Sequence, residues 1–410
     1  MKKIIENFVG DHSVYKIRRK EFDWGETIPF RVSPEPFRLN DEQREQVLQI
    51  GLDMTSYFLA VDQLYRSQPA VHNLLDRGKP NLFRGNQMRY LFIRPDLIVT
   101  PNGFSVCEVE TSPFGLALSD LLNAAYHHGG FTTLVGADLL TNYIHSQTPE
   151  LGTIVFNDKT AAFAGQMNYL AEKVFSGSGR TWQVKHVSEV DTHSNFGPVY
   201  RGFYLSDYDA DEYVRKLVDA SLSGLGTIWP SLTPHMEEKA ILSFIWDSAW
   251  ESILIEKLGN NVFFRLRNVI PQTFVIGESA GASLSSLGNA TKSERLYVLK
   301  HSGFTGKSSW AESVHFLHKK SRPDVSRLLN ESLEDKTALH ILQRFTKGSL
   351  HEMRFYDGEE VETMSAKIRV TPYYAMTGDD VGKLLTIKAT GCENTDLIHA
   401  SSSSVNTAVS

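Results

Sequence analysis

The sequence predicts a chain of the α+β class, folded as two or three closely packed lobes. Three observations lead there. At 410 residues the chain is longer than one hydrophobic core usually supports. The turn residues Pro101, Asn102 and Gly103 separate two β-rich runs, as in an antiparallel hairpin. Residues 151–190 instead alternate strand, helix and strand, the rhythm of a βαβ unit. A hydrophobic fraction of 41% beside 22% charged residues gives ordinary material for core and surface.

Residues 1–30 mix charged and apolar side chains and hold no apolar run of signal-peptide or membrane-spanning length, so a cytoplasmic protein without a membrane partner is expected. Residues 40–65 carry Val47, Leu48, Gly51, Leu52, Thr55, Phe58 and Leu59 near one stripe at helical spacing, which predicts a long packed helix. Residues 90–100 and 104–110 read as the two strands of the hairpin. In the βαβ unit, 153–156 is a strand, 161–175 a helix and 182–187 a second strand. Residues 211–258 are helix-rich, broken near Pro230 and Pro234. Strand-like pieces return at 273–276, 296–300, 366–372 and 383–388. The expected division is therefore 1–150 for a helical segment plus the hairpin, 151–228 for a small βαβ domain, 229–400 for a later lobe, and 401–410, rich in serine, for a frayed tail.

The net charge of −6 leaves no general basic surface for nucleic acid, so any phosphate site must be local. Cys107 and Cys392 can build neither a disulfide framework nor a four-ligand zinc site, and both read as packing thiols in a reducing compartment.

The hairpin carries the strongest chemical signal. A three-residue turn with Gly103 left-handed would set Thr100 opposite Phe104, and counting back places Asp96 opposite Glu108 and Arg94 opposite Glu110. Side chains alternate across a strand, so these four share one face, while Ile93, Leu97, Val99, Cys107 and Val109 share the other. Three carboxylates within roughly 5 to 7 Å of one another repel by several kcal/mol, about 4 for each pair at close contact. Arg94 supplies part of the compensation, and a hard cation such as Mg²⁺ is expected to complete it.

The spacing of Arg94, Asp96, Glu108 and Glu110 ahead of Thr111, Ser112 and Pro113 resembles the metal-binding stretch of glutathionylspermidine synthetases, which are circularly permuted ATP-grasp ligases. The resemblance continues in order along residues 90–390. Residues 238–246, EKAILSFIW, are similar to the family segment whose lysine touches the nucleotide, which gives that role to Lys239. Residues 297–308, YVLKHSGFTGKS, look like the family's lysine and glycine-rich phosphate loop, with Lys300, Gly303 and Gly306 at the matching positions. Residues 341–345, ILQRF, containing Gln343, resemble the hinge strand against which adenine lies.

The resemblance implies an ATP-grasp fold with residues 151–228 as its small pre-ATP-grasp βαβ unit, ATP and Mg²⁺ as cofactors, and Asp96, Glu108 and Glu110 as metal ligands. Arg94 would be the catalytic cation, and small-molecule or peptide carboxylates and amines the substrates. Glu110 stands where the family has Asn, and the resemblance does not extend to the substrate pocket. Glycines at 303 and 306 would let backbone N–H groups turn to phosphate oxygens beside a compact lysine charge, although the Walker spacing of a P-loop is missing.

Two other readings compete. Residues 273–281, TFVIGESAG, and 126–131, YHHGGF, are similar to the nucleophile elbow and oxyanion loop of carboxylesterases, with Ser279 as nucleophile. Against this, residues 115–126 have helical spacing where a strand should precede the glycines. A catalytically silent nucleotide-binding protein on the same fold is the third reading.

Overall fold

The computed structural model describes residues 1–11, 30–111, 115–277, 287–305, 313–393, 395–399 and 403–410. Asn40 opens the first long helix, Asp41–Ser67: its side chain accepts the Gln43 N–H at 2.8 Å, while Gln43 Oε1 accepts the Asn40 N–H at 3.1 Å, a reciprocal cap. The helix buries Val47, Ile50, Met54, Tyr57, Phe58 and Val61. Leu48, Leu52 and Leu59, expected on the buried stripe, are exposed instead. The line of contact runs through Ile50, Met54, Tyr57 and Val61, and the stripe read from the leucines lies round the edge of it. At Gly51 the helix touches the sheet so closely that a Cβ would meet the Tyr374 ring at 2.4 Å.

Among the described residues the strands are β1 (Arg31–Val32), β2 (Phe92–Thr100), β3 (Gly103–Glu110), β4 (Leu151–Phe156), β5 (Thr181–His186), β6 (Gly197–Gly202), β7 (Gly226–Trp229), β8 (Thr273–Val275), β9 (Tyr297–His301), β10 (His315–Phe316), β11 (His340–Arg344), β12 (Leu350–Asp357), β13 (Glu360–Ala375), β14 (Leu384–Glu393) and β15 (Val405–Ala408). They form three sheets. The largest runs β1-β15-β14-β13-β2-β3, with β12 also on β13. Alternation gives this sheet two chemistries. Ile93, Leu97, Val99, Ile368, Val370 and Ile387 pack toward the long helix, whereas Arg94, Asp96, Arg369, Thr371 and Lys388 face a cleft.

The second sheet, β10-β9-β11-β8, is antiparallel and is backed by the helix Arg322–Glu334 through Leu299, Leu342, Val325 and Leu329. The third, β5-β4-β6-β7, is wholly parallel. It contains the expected strand–helix–strand, although the connection passes through 3₁₀, α and π turns over residues 158–175 and the sheet continues into two further strands.

The sheets do not follow the boundaries drawn from sequence. β12 to β15 come late in the chain yet complete the sheet of the early hairpin. The end of the chain is not frayed where it is described: β15 pairs with β14 and β1, and Val405 to Ala408 are buried. Val405 and Ala408 join the two main cores, while Asn406 Oδ1 accepts from Thr390 and Lys388, so burial of this small, polar segment does not strand the amide oxygen that would otherwise favour water. Among the described residues no helix is long and apolar enough to cross a membrane.

Candidate active site

The register of the hairpin places its acidic groups. Asp96 lies opposite Glu108 and Arg94 opposite Glu110, as expected, but for a different reason. The turn is the tighter one: Thr100 pairs with Gly103, whose φ of 108° permits the reversal. A β-bulge between Asp96 and Leu97 then inserts Cys107 as an extra residue and restores the alignment. Cys107 consequently joins the cleft lining instead of the apolar face. Its Sγ donates to the Asp96 carbonyl at 3.3 Å, and burial pushes the thiol up to about 12, as suits an inert packing thiol. Its backbone carbonyl, set off the ladder by the bulge, accepts a hydrogen bond from Lys300 Nζ at 2.8 Å.

Each acidic side chain has a cation. Asp96 is held by Arg94 Nε at 2.9 Å and by Arg369 of β13 at 3.0 Å. Glu110 pairs with Arg94 at 3.0 Å and Glu108 with Lys239 at 2.9 Å. Sequence reasoning expected a metal to supply the charge that Arg94 lacks; Arg369 and Lys239, brought in by other elements, already supply it. Burial would raise the Asp96 carboxyl, but Arg369 and Arg94, with Lys388 beyond them, hold it below its ordinary range. Glu110 moves the other way: burial raises it, and Glu108 and Asp96 outweigh part of the pull of Arg94.

The donor set fits a magnesium ion in part. Glu108 and Glu110 keep oxygens on the cleft, with side chains 26% and 33% exposed, and their mutual repulsion is what a hard cation relieves. Asp96 has both oxygens on guanidinium groups, so it can ligate only by giving one up.

The two lysines arrive from separate elements. Lys239 opens the 3₁₀ segment Lys239–Trp246, which is fixed when its own N–H and that of Ala240 donate to the Ser302 carbonyl and hydroxyl at 3.0 and 2.7 Å. Lys300 lies on β9, directly across from Ile341 of β11. Burial pulls its ammonium group down, and no carboxylate lies within 4.0 Å of its Nζ among the described residues; it donates to Cys107 O and to Gln343 Oε1 at 2.9 Å. Lys239 is different, since burial would lower it but Glu108 holds it up.

Gln343 spends its amide on Lys300 and on Thr273 Oγ1 at 3.2 Å, so its side chain fixes the lysine, while its backbone lies inside the sheet between Thr273 and Val298. Gly303 is needed for space: a Cβ there would meet the Glu237 carbonyl at 2.7 Å. Gly306 and the chain just after it lie outside the described residues, as does Ser279. Arg94, Asp96, Glu108, Glu110, Lys239, Lys300 and Gln343 all line one cleft of about 410 Å³.

Sequence reasoning missed Arg369, Thr371 and Lys388 on the cleft face of β13 and β14. The alternation Lys367, Arg369, Thr371 against Ile368 and Val370 marked a polar face in advance, but only the pairing of β13 with β2 brings Arg369 to Asp96. Lys388 is buried at 5% exposure, and burial beside Arg369 and Arg94 pushes its ammonium group down to about 7.

No protein-family model matches this chain, and no curated protein matches it. Among solved structures, the apo form of a glutathione synthetase-like effector (GSS30) from Globodera pallida aligns with a TM-score of 0.59 at 12% identity, covering 100% of this chain and 95% of that one. A candidate gamma-glutamylcysteine synthetase from Methylobacillus flagellatus KT aligns with a TM-score of 0.44 at 10% identity, over 92% and 88% of the two chains, a likeness too weak to establish a shared fold. The first likeness shows a fold shared with that glutathione synthetase-like effector.

Proposed function

We propose that this chain is an ATP-dependent carboxylate–amine ligase, forming an amide or peptide bond through an acyl phosphate. Its fold would be the circularly permuted ATP-grasp of the glutathionylspermidine synthetase kind, with residues 151–228 as the small pre-ATP-grasp unit. The observation that carries this reading is the convergence of Lys239 and Lys300 with Glu108 and Glu110 in one cleft, from three separate segments of the chain.

Among the described residues Lys300 is a buried ammonium group with only neutral acceptors and no carboxylate to give up, so it is preorganised to bind phosphate oxygens. Lys239 would exchange Glu108 for a phosphate oxygen and leave Glu108 open for a cation. Glu108 and Glu110, with Asp96 behind them, would hold magnesium, which neutralises and orients the phosphates when bound. Arg94, tied to Asp96 and Glu110 at the edge of that site, would stabilise charge on the acyl phosphate and on the adduct formed by amine attack. The chain at Gly303 packs closely against Glu237 and Glu238 and would begin the lid that excludes water from the cleft.

The hydrolase reading finds less support. β8, which would lead into a nucleophile elbow, is an edge strand of an antiparallel sheet, and Gly129 and Gly130 follow the helix Leu116–His128. The test is ADP release from Mg–ATP in the presence of amino acids, polyamines and short peptides. Release that depends on an acid and an amine together supports the ligase; nucleotide binding without release under every pairing leaves the silent nucleotide-binding protein.

A further inference from the structure

One wall of the cleft is made neither by the lysine pair nor by the acidic hairpin. On β13 and β14, Thr371 stands directly opposite Lys388 and Arg369 opposite Thr390, and Asn406 of β15 follows opposite Thr390. Thr371 and Lys388 are 2% and 5% exposed, yet both line the cleft. Lys388 Nζ donates to Thr390 Oγ1 at 2.8 Å and Asn406 Oδ1 at 3.3 Å, both neutral. No carboxylate lies within 4.0 Å of it among the described residues, since Asp96, the nearby acid, is committed to Arg94 and Arg369.

Two more polar atoms on this wall, Arg369 Nε and Thr371 Oγ1, are buried and have no hydrogen-bond partner among the described residues. Buried donors without acceptors cost free energy, and a buried ammonium without a counter-ion costs more. Asp96 and Glu110 are taken up by Arg94 and Arg369, and Glu108 by Lys239, so no carboxylate of the hairpin is left to pair with Lys388.

We infer that the wall of Arg369, Thr371 and Lys388 is a subsite for a substrate carboxylate that is not itself activated, so that one substrate is an amino acid or peptide with a free acid end and not a polyamine. This rests on the ligase reading for the word substrate and on the wall alone for the anion. An ammonium group, a hydroxyl and a guanidinium Nε–H converging from one sheet match the two oxygens of a planar carboxylate. The carboxylate supplies the missing acceptors and the missing charge together.

Two experiments on the full chain test it. In crystals soaked with sodium bromide, the anomalous map should show an ion at Lys388 Nζ and Thr371 Oγ1 in the wild type and none there in Lys388→Met. An empty wall in the wild type, an ion that persists in the variant, or an ion displaced by inorganic phosphate as readily as by acetate overturns the subsite. In ADP-release assays with L-amino acids and dipeptides, their C-terminal amides, and polyamines, the acids should stimulate release and the matched amides and polyamines should not. Lys388→Met should raise the KM for the acid 30-fold or more and Thr371→Val about 10-fold, with nucleotide affinity unchanged. Equal stimulation by acid and amide, or an unchanged KM in both variants, refutes the assignment. If no compound stimulates release, the ligase reading fails while the bromide map still decides whether the wall takes an anion.

Discussion

Replacing Lys300 by methionine separates its chemical role from its structural one. Methionine has nearly the same length, so it opens little cavity. The loss is confined to two hydrogen bonds, to Cys107 O and Gln343 Oε1, at 2.8 and 2.9 Å. Leaving those acceptors unpaired costs about 1 to 3 kcal/mol each. Against this, the variant no longer buries an ammonium group that has no carboxylate partner among the described residues and whose pKa burial already pulls down. The opposing effects should leave stability within about 2 kcal/mol of wild type, a shift of a few degrees in Tm. Catalysis has no such offset, because the phosphates lose a preorganised cation, worth about 3 to 4 kcal/mol or a factor of 10² to 10³ in rate. The assay is ADP release with the substrate pair that stimulates the wild type, beside a thermal melt. Lys300→Arg should recover little, since a planar fork does not fit the pocket of a point charge. A folded Lys300→Met protein with near-normal turnover would refute the phosphate-binding role.

Three further outcomes are expected. Asp96→Asn takes the carboxylate from Arg369 and leaves Arg94 with Glu110 alone, so chemical denaturation should show a loss of about 3 to 5 kcal/mol; a stability equal to wild type would mean the pairs carry no net weight. Asp120, buried and accepting from Tyr169 at 2.8 Å, has its carboxyl raised by burial from 3.8 to about 7. The folded state therefore keeps this proton longer than the unfolded state, and the stability it contributes is present below about pH 4 and lost as pH rises through 7. Asp120→Asn, which still accepts from Tyr169, should remove that decline and gain up to about 4 kcal/mol at pH 8, measured by urea unfolding from pH 4 to 8; parallel curves for variant and wild type would contradict it. Gly303→Ala should force the chain off the Glu237 carbonyl and weaken binding of a non-hydrolysable ATP analogue by about tenfold or more, on the order of 1.4 kcal/mol, and unchanged calorimetric affinity would show that this close approach is unrelated to the nucleotide.

Local chemistry in the sequence carried far, and long-range pairing limited it. The four-residue acidic face was legible because alternation along β2 and β3 is a local property, yet the expected turn and the missing bulge were compensating errors: the tighter turn shifts the register by one residue and Cys107 shifts it back. The bulge had no signature in composition, and with it went the role of the Cys107 carbonyl. Lys239 and Lys300 were legible as a resemblance, whereas the partnership of Lys239 with Glu108 was not, since it depends on two elements meeting across the cleft. Arg369, Thr371 and Lys388 lay in strands that were recognised, but the sequence does not say that β13 is the neighbour of β2. The long helix was found and Val47, Gly51, Thr55 and Phe58 of its stripe are buried, but its leucines counted as core where Tyr57 and Met54 make the contact. The serine-rich end read as disorder by composition, and pairing with β14 overrides composition there.

The ligase reading requires that a single magnesium nucleotide lie between the carboxylates of β3 and the ammonium groups of Lys239 and Lys300. A crystal structure with Mg²⁺ and a non-hydrolysable ATP analogue tests it directly. The expected result is phosphate oxygens within hydrogen-bond distance of both Nζ atoms, Lys239 released from Glu108, and a cation on Glu108 and Glu110. A nucleotide bound elsewhere, or one seated in the cleft with the Lys239–Glu108 pair intact and no cation on β3, would contradict it.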